Sequence, residues 1–331
     1  MIISRTPFRI SFFGGGTDYP VWYRENGGAV LSTTIDKYCY ISCRYLPPFF
    51  EHKYRIVYSL IENIKETSEI KHPAVRAVLE YLKINKGVEI HHDGDLPART
   101  GLGSSSSFTV GLLHAVYALK GSMQTKMRLA TEAIHIEQDI IKENVGSQDQ
   151  IAAAFGGFNV TRFNPDNTFQ VSPVILSADR LNCLQNHLIF CFTGFSRIAS
   201  EIAKEQIEST NKKKAELSVM QQMVDEALAI LTSDNADITE FGKLLNESWQ
   251  LKRSLTSKIS TPHVDEIYEE ARREGALGGK LLGAGGGGFM VIFAKPEDQP
   301  RIRERLKRLL MVPFEFETSG SQIIVYQPNG L

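Results

Sequence analysis

Residues 97–119 carry the strongest structural signal in this chain: Pro97-Ala-Arg-Thr-Gly-Leu-Gly-Ser-Ser-Ser-Ser-Phe-Thr-Val-Gly-Leu-Leu-His-Ala-Val-Tyr-Ala-Leu119. A proline-led loop with two close glycines meets four serines and continues into an apolar helix. The start of a helix carries unpaired N–H groups and the positive end of the helix dipole, so it attracts anions. An ordinary serine-capped helix needs one serine and no glycine pair. The stretch therefore indicates a loop that binds phosphate.

The composition is that of a globular chain without an extreme of charge. Its 331 residues allow two domains, with 42% hydrophobic and 23% charged residues and a formal net charge of −1. A charge so close to zero argues against nucleic acid or an anionic membrane as partner. We find no apolar run of membrane-spanning length and no signal peptide, and four cysteines predict no disulfide framework. We expect a cytoplasmic protein and leave a homodimer open.

Two pairs of metal-binding residue types do not form metal sites. Cys39 and Cys43 lie in a stretch rich in strand-forming residues, so they are about 13 Å apart and cannot share one ion. His91 and His92 point to opposite faces if residues 88–92 form a strand.

We expect two domains, residues 1–175 and residues 176–331, in an α+β protein. Hydrophobic periodicity and turn residues predict strands over 2–13, 29–45, 188–192, 289–293 and 322–326. The same reading predicts helices over 72–83, 127–142, 149–155, 200–232, 238–255, 262–274 and 301–310. The polar stretch 164–180 is the best candidate for the crossover between the domains.

Motif spacing excludes two common nucleotide-binding folds. The chain lacks Gly-x-x-x-x-Gly-Lys-Ser/Thr, so it is not a P-loop protein. The spacing of Gly283, Gly285 and Gly288 matches the dinucleotide fingerprint, but a strand follows it and no βαβ unit surrounds it. The loop is either a glycine-rich hairpin turn or a place of close approach to a ligand.

Three charged residues could complete a phosphotransfer site, and each also has an ordinary explanation. Glu137 could bind a metal ion or lie on a solvated helix face. Asp149 could orient a hydroxyl or cap the short helix that follows it. Arg9 lies among apolar strand residues and needs an anionic partner, either a structural carboxylate or a substrate.

Three glycine-bearing segments together resemble the GHMP small-molecule kinases. They are Thr6-Pro-Phe-Arg-Ile-Ser-Phe-Phe-Gly-Gly-Gly-Thr-Asp-Tyr19, Leu96-Pro-Ala-Arg-Thr-Gly-Leu-Gly-Ser-Ser-Ser106 and Lys280-Leu-Leu-Gly-Ala-Gly-Gly-Gly-Gly-Phe289. They occur in the family's order and spacing and span nearly the whole chain. The resemblance implies an N-terminal domain of the ribosomal-protein-S5 type, a ferredoxin-like C-terminal domain and an active site between them.

The resemblance also implies roles for individual residues. Ser105 and Glu137 resemble the ligands of Mg²⁺, Asp149 resembles the catalytic aspartate, and Arg9 resembles its cationic partner. The ATP phosphates would contact Pro97, Gly101, Leu102, Gly103, Ser104, Ser105, Ser106 and Ser107. One departure is Ser106, where the family usually has alanine.

A second departure concerns the substrate. Galactokinase-like chains have a Glu-His pair where this chain has Gly15 and Gly16, although Thr17 and Asp18 are kept. Losing that glutamate opens space and removes a negative charge, so a larger sugar or one bearing phosphate would be tolerated. We expect a kinase for the anomeric hydroxyl of a heptose 7-phosphate, with fucose as the alternative substrate and a non-catalytic sugar and ATP sensor as the alternative class.

The predicted substrate contacts come from both halves of the chain. They are Gly15, Gly16, Thr17, Asp18, Arg197, Gly285 and Gly286. For a substrate phosphate the candidate cations are Arg44, Arg99 and Arg197, each of which could equally be a surface arginine.

Overall fold

The computed structural model of the protein describes residues 1–194, 199–233 and 235–328. Its strands are β1 (Ile2–Phe13), β2 (Gly28–Tyr45), β3 (Tyr54–Val57), β4 (Ile61–Ile64), β5 (Val88–Gly94), β6 (Phe158–Phe163), β7 (Phe169–Pro173), β8 (Leu188–Gly194), β9 (Ala276–Leu281), β10 (Gly288–Ala294), β11 (Leu310–Met311), β12 (Phe316–Glu317) and β13 (Gln322–Tyr326).

Short irregular segments lie between some of the helices. The helices are α1 (Pro20–Asn26), α2 (Pro73–Tyr81), α3 (Ser104–Leu119), α4 (Lys126–His135), α5 (Gln148–Phe155), α6 (Ala178–Asn186), α7 (Ala199–Ser209), α8 (Lys214–Thr232), α9 (Thr239–Leu255), α10 (Pro262–Arg273) and α11 (Gln299–Arg305). A π-helical turn, Ile136–Ile140, continues α4, and 3-10 turns occupy Thr67–Glu69 and Thr210–Lys212.

The first sheet is built around the long strand β2. Its strand order is β13-β1-β2-β5-β3-β4, and β12 and β6 also pair with β2 while β7 pairs with β6. The 18 residues of β2 are long enough for β6 to pair with their first part and β5 with their last part. Helix α3 packs on β1 and β2 with most of its residues buried, which explains its nearly uniform apolar sequence.

The second sheet has four strands in the order β11-β8-β10-β9, all antiparallel. Strands β9 and β10 form a hairpin, so the glycine loop between them is the turn of that hairpin. Helix α9 packs against β9 and reaches the first sheet as well. Its Phe241 ring meets Phe13 edge-on at a centroid distance of 5.1 Å, which joins the two sheets through one aromatic core.

The last strands of the chain return to the first sheet. Strand β13 pairs antiparallel with β1, and β12 pairs with β2. The two expected domains, 1–175 and 176–331, thus correspond to the two sheets except that residues 316–326 lie in the first one. We propose that the domain boundary lies between residues 175 and 176 and that the C-terminal strands β12 and β13 return to the first sheet.

Several predicted elements are confirmed, and three need correction. Strands β1 and β13 have their predicted bounds. The single helix predicted over 200–232 is wrong, because Thr210–Lys212 forms a 3-10 turn that separates α7 from α8. Helix α11 is shorter than predicted, and the polar stretch 164–180 contains strand β7 as well as a connection.

Candidate active site

The phosphate loop is built from glycines that adopt conformations other residues avoid. Gly101 has φ +85°, and Gly103, the residue before α3, has φ +74° in the left-handed region. No side chain caps α3, so the N–H groups of its first turn keep their capacity to bind an anion. Pro97 and Leu102 support the loop through their carbonyl oxygens, which accept from Thr100 Oγ1 and from the N–H of Arg9.

The four serines at the start of α3 have different surroundings. Ser104 Oγ accepts from the loop N–H of Arg99 at 3.1 Å, and Ser107 Oγ donates to the carbonyl oxygen of Pro7 in β1. Ser106 Oγ donates to Glu137 Oε2 at 2.8 Å. Ser105 is exposed at the helix start. Two of the serines therefore hold the loop and helix in place, and Ser106 links the helix to a carboxylate.

Arg9 and Asp149 form a bidentate ion pair beside this loop. Arg9 Nε donates to Asp149 Oδ1 at 2.7 Å, and Nη2 donates to Oδ2 at 2.8 Å. The third contact of the guanidinium is the carbonyl oxygen of Gly101 at 2.6 Å. Arg9 is buried on β1, whereas the Asp149 side chain is 25% exposed in the first turn of α5. The carboxylate is thus fixed on one side and accessible on the other.

A glycine brings Asp149 against the start of α3. A Cβ atom on Gly103 would lie 3.3 Å from the Asp149 carboxyl group. The carboxylate therefore lies next to the N-terminus of the phosphate-binding helix. The contact also places Arg9 there through its pair with Asp149.

Glu137 lies in the π-helical turn that continues α4, and its carboxyl group is buried. Burial raises the pKa of Glu137 to about 7, against the hydrogen bonds that lower it. Oε2 accepts from Ser106 and Gln150, but Oε1 is buried without a partner. A π turn inside a helix often occurs at functional sites, because it redirects a side chain. The helix prediction over 127–142 could not show this turn.

The free oxygen of Glu137 fits a magnesium ligand. Mg²⁺ in kinases is held by one or two protein oxygens while the substrate phosphates supply others. Glu137 and the neighbouring serine hydroxyls at the start of α3 are such a set. Within the described ranges no group of three His, Cys, Asp or Glu side chains could hold a metal by itself. The arrangement thus suits an ion that arrives with a phosphate ligand.

Asp18 is a second buried carboxylate beside the pair. Burial is the main cause that raises its pKa, and the charge of Asp149 adds to it. Oδ1 accepts from the N–H of Gly16 at 2.9 Å, and Oδ2 accepts from Gln148 Nε2 at 3.0 Å. Thr17 has a structural role, since its hydroxyl donates to the carbonyl oxygens of Gly14 and Ala29.

Gly15, in the same segment as Asp18, leaves room for a Cβ atom. A Cβ on Gly15 would meet only Gln148 Nε2 and Ser11 Oγ, both at 3.7 Å, which is ordinary contact. Ser11 Oγ and Gln148 Oε1 are buried without partners. Polar atoms with free hydrogen-bonding capacity therefore lie beside the position that a Cβ atom on Gly15 would occupy.

The third glycine segment packs directly on the phosphate loop. A Cβ on Gly283 would overlap Gly101, and the N–H of Phe289 donates to the carbonyl oxygen of Thr100 at 3.1 Å. Gly285 and Gly286 lie against Ile259 instead, and the N–H of Gly286 donates to its carbonyl oxygen at 2.9 Å. The hairpin thus supports the phosphate loop from the side of the second sheet.

Two buried lysines also lie at this junction, and the sequence analysis missed both. Lys252 Nζ donates to the carbonyl oxygen of Gly283, and Lys280 Nζ donates to that of Phe12 at 2.8 Å. Burial lowers the pKa of Lys252 to about 8 and that of Lys280 well below its usual value. One signal was present, because Lys252 continues the buried stripe that contains Leu245 and Trp249 on α9.

The predicted cations for a substrate phosphate are only partly placed. Arg197 lies outside the described residues. Arg44 forms an ion pair with Glu89 on the first sheet at 2.6 Å. Arg99 is exposed in the phosphate loop.

A helix N-terminus open to phosphate, a carboxylate fixed beside it by arginine, and a second carboxylate with a free oxygen are the parts of a phosphotransferase site. The similarity of this chain to known proteins agrees with such a site. The family description "GHMP kinases N terminal domain" matches residues 68–157, and "GHMP kinases C terminal" matches residues 226–310. Together these ranges cover more than half of the chain, which belongs to the GHMP kinase family. Its members use ATP as phosphate donor, and the predicted α+β fold of this family is confirmed.

The relatives differ in their sequence identity to this chain and in the share of each chain that the similarity covers. The D-glycero-alpha-D-manno-heptose 7-phosphate kinase of Campylobacter jejuni is 28% identical, with 93% of each chain covered. A bifunctional fucokinase/GDP-fucose pyrophosphorylase of Arabidopsis thaliana is 25% identical over 91% of this chain and 30% of its own. A solved structure described as a D-glycero-D-manno-heptose 1-phosphate kinase of Bacteroides thetaiotaomicron has a TM-score of 0.74 at 23% identity, with 99% of this chain and all of that chain covered.

Proposed function

We propose that the protein is a sugar kinase that uses ATP and Mg²⁺ to phosphorylate the anomeric hydroxyl of a heptose 7-phosphate. The observation that carries this proposal is the Arg9–Asp149 pair next to the start of α3, with Asp18 and the open Gly15 position alongside. The similarity to a heptose 7-phosphate kinase over nearly the whole chain supports the choice of sugar.

The reaction needs a group that receives or orients one proton. As the anomeric oxygen forms its bond to the γ-phosphorus, its proton passes to the Asp149 carboxylate and the bond from γ-phosphorus to ADP breaks. Arg9 holds Asp149 in one orientation and offsets its negative charge, because the guanidinium donates to both carboxylate oxygens. Phosphoryl transfer is loose, so positioning by Asp149 contributes at least as much as removal of the proton.

The start of α3 binds the nucleotide phosphates, and its N–H groups and dipole stabilise their negative charge. Glu137, with Ser105 or Ser106, would hold Mg²⁺, which neutralises charge on the phosphate oxygens when bound. The contact of Ser106 with Glu137 favours this serine, whereas the exposed Ser105 hydroxyl is free to face the nucleotide.

Asp18 and the Gly14–Gly16 segment would receive the sugar. Asp18 is tied to Gln148 and Gly16, so its carboxylate is held in one orientation toward sugar hydroxyls. Because Gly15 has no side chain, we expect the longer carbon chain of the sugar to lie beside it, and the missing glutamate avoids repulsion of a sugar phosphate.

The test is ATP-dependent ADP release on D-glycero-D-manno-heptose 7-phosphate, mannose 6-phosphate, fucose and galactose, with the phosphorylated position determined by NMR. We expect turnover on the heptose phosphate and phosphorylation at the anomeric carbon. Preference for fucose would support the alternative substrate instead. Bound ATP with no turnover on any sugar would contradict a kinase of these sugars and favour a sensor.

The role of Asp149 has its own test. Asp149→Asn removes the proton acceptor but keeps the size of the side chain, so kcat should fall at least about 1,000-fold while ATP still binds. Asp139→Asn is the matched control, since Asp139 is exposed and pairs with His135. Near-normal kcat in the Asp149 variant would show that this carboxylate is not the acceptor.

A further inference from the structure

The buried cations around the active site are unevenly paired with the carboxylates there. Arg9, Lys252 and Lys280 are basic, and the acidic side chains whose charges act on the two lysines are Asp18 and Asp149. Arg9 already takes both carboxylate oxygens of Asp149. Across the described part of the chain, neither lysine has a carboxylate within ion-pair distance, and carbonyl oxygens are their hydrogen-bond partners.

A buried ammonium without an anion is costly, so a site that keeps one has capacity for an anionic ligand. Lys252 is 6% exposed and Lys280 is 1% exposed. An ammonium group has three N–H donors, and a single carbonyl contact leaves the others available. Lys280, on β9, reaches the carbonyl oxygen of Phe12 in β1, whereas Lys252, on α9, reaches the turn of the β9–β10 hairpin.

Lys252 lies beside the phosphate loop because its partner, Gly283, contacts Gly101 of that loop. Its ammonium donates to the carbonyl oxygen of Gly283, and Gly283 packs on Gly101. The guanidinium of Arg9 donates to the carbonyl oxygen of that same Gly101. The two cations therefore lie on neighbouring pieces of backbone, at the phosphate loop and next to the carboxylate that receives the proton.

We infer that Lys252 binds the terminal phosphoryl group of the nucleotide, as a second cation opposite Arg9 that the C-terminal half of the chain supplies. The inference rests on the proposed kinase reaction, whatever the sugar. As the γ-phosphorus leaves ADP for the sugar oxygen, its equatorial oxygens carry the negative charge that Arg9 and Lys252 meet from two sides. A phosphate on the sugar is the other source of the same chemistry. The contact with the phosphate loop favours the nucleotide.

The experiment compares two nucleotides in the absence of sugar, so it does not depend on the substrate. Dissociation constants of ADP and of the non-hydrolysable ATP analogue AMPPNP are measured with Mg²⁺ for the wild type, Lys252→Met and Lys252→Arg. We expect Lys252→Met to weaken AMPPNP at least about 10-fold and ADP less than about twofold, because only AMPPNP carries the terminal group. Lys252→Arg should retain most of the AMPPNP affinity.

Lys243→Met is the matched control, since it makes the same change at an exposed position of the same helix. Lys252→Gln serves as the second variant if Lys252→Met does not fold. Equal weakening of both nucleotides, or none, would overturn the inference. So would a loss of affinity for mannose 6-phosphate or the heptose 7-phosphate with AMPPNP binding unchanged, because that result assigns Lys252 to the sugar phosphate.

Failure of the proposed function is a separate result. It shows in the wild type, as absence of turnover on the sugar panel. A kinase of another sugar would still lose the terminal phosphoryl contact in the Lys252 variants.

Discussion

The Asp149 carboxylate is held firmly on one side and is accessible on the other. Both oxygens accept from Arg9, while a quarter of the side chain remains accessible from the outside. A bidentate arginine pair restricts orientation as well as charge. The neighbouring carboxylate of Asp18 is held by an amide and a backbone N–H instead, and burial raises its pKa. Two aspartates side by side therefore have different chemistry, which suits one to the proton and the other to sugar hydroxyls.

At the same scale, Gly15 should set the charge preference of the sugar site. Gly15→Glu adds a carboxylate at a position where the new Cβ atom would lie 3.7 Å from Ser11 Oγ and from Gln148 Nε2, which is ordinary contact. We expect KM for a sugar phosphate to rise at least about 10-fold, because the new charge repels the phosphate. Steady-state ADP release on heptose 7-phosphate and on an unphosphorylated sugar measures this.

Gly15→Gln is its matched control, with nearly the same volume and no charge. A similar loss in both variants would mean that space, and not charge, decides which sugar enters.

At the scale of elements, the site depends on two glycine turns that touch. The phosphate loop and the β9–β10 hairpin meet at Gly101 and Gly283, where a Cβ on either residue would overlap the other segment. Hydrogen bonding between the segments is made by backbone, from the N–H of Phe289 to the carbonyl oxygen of Thr100. This contact transmits the position of the second sheet to the phosphate loop without any specific side chain.

Gly101→Ala should therefore damage both stability and activity. The substitution brings a Cβ into the carbonyl group of Leu282 at a residue with φ +85°. We expect the free energy of unfolding to fall by about 2–4 kcal/mol and ATP binding to weaken. Denaturant unfolding and nucleotide titration give the two values.

Gly121→Ala separates the two causes in this prediction. Gly121 also has a positive φ, +72°, but a Cβ there meets nothing within 4 Å. The free energy of unfolding should fall by about 1 kcal/mol in Gly121→Ala, because only the backbone conformation is unfavourable there. Equal losses at both positions would show that the contact between the loops does not matter.

Long elements with a strong pattern could be predicted from the sequence, and contacts across the chain could not. The sequence pattern of residues 2–13 predicted the observed bounds of β1, and the serine run predicted the start of α3. Arg9 and Asp149 were found from local context and the resemblance. Lys252 was missed because a lysine on a helix is normally solvated, and its burial depends on a glycine carbonyl that lies 31 positions away.

The break between α7 and α8 and the π turn at Glu137 had no clear local signal either. Thr210–Lys212 lacks glycine and proline, so nothing in its composition interrupts a helix. The π turn depends on packing that redirects Glu137 toward Ser106 and Gln150. Local patterns fix the type of an element more firmly than its ends and irregularities.

At the scale of the whole molecule, the C-terminal strands close the first sheet. Ser321, just before β13, bonds through its hydroxyl to Thr6 on β1 at 2.9 Å and to His114 on α3 at 3.0 Å. The return of the chain thus touches both the strand that carries Arg9 and helix α3, which follows the phosphate loop. Across the described residues, no helix has the length and apolar character to cross a membrane.

Deleting residues 316–331 should abolish the native fold. The deletion exposes the edge of β1 and removes the partners of Thr6 and His114. We expect the cooperative thermal transition to be lost, as measured by circular dichroism. Nucleotide binding, measured by titration, should be lost as well. Deleting only residues 329–331 leaves β12 and β13 in place and is the control. A cooperative transition in the longer deletion would show that the first sheet is stable without its last strands.

The same return of the chain has a consequence for synthesis. Strand β1 leaves the ribosome long before its outer neighbour exists, since Thr6 and Ser321 are 315 positions apart. Throughout that interval the nascent sheet has an open edge that can pair with another chain. Chaperones that cover such edges would therefore bind the nascent chain between the synthesis of β1 and the synthesis of β13. The kinase would become competent only when the ribosome has nearly finished the strand that closes it.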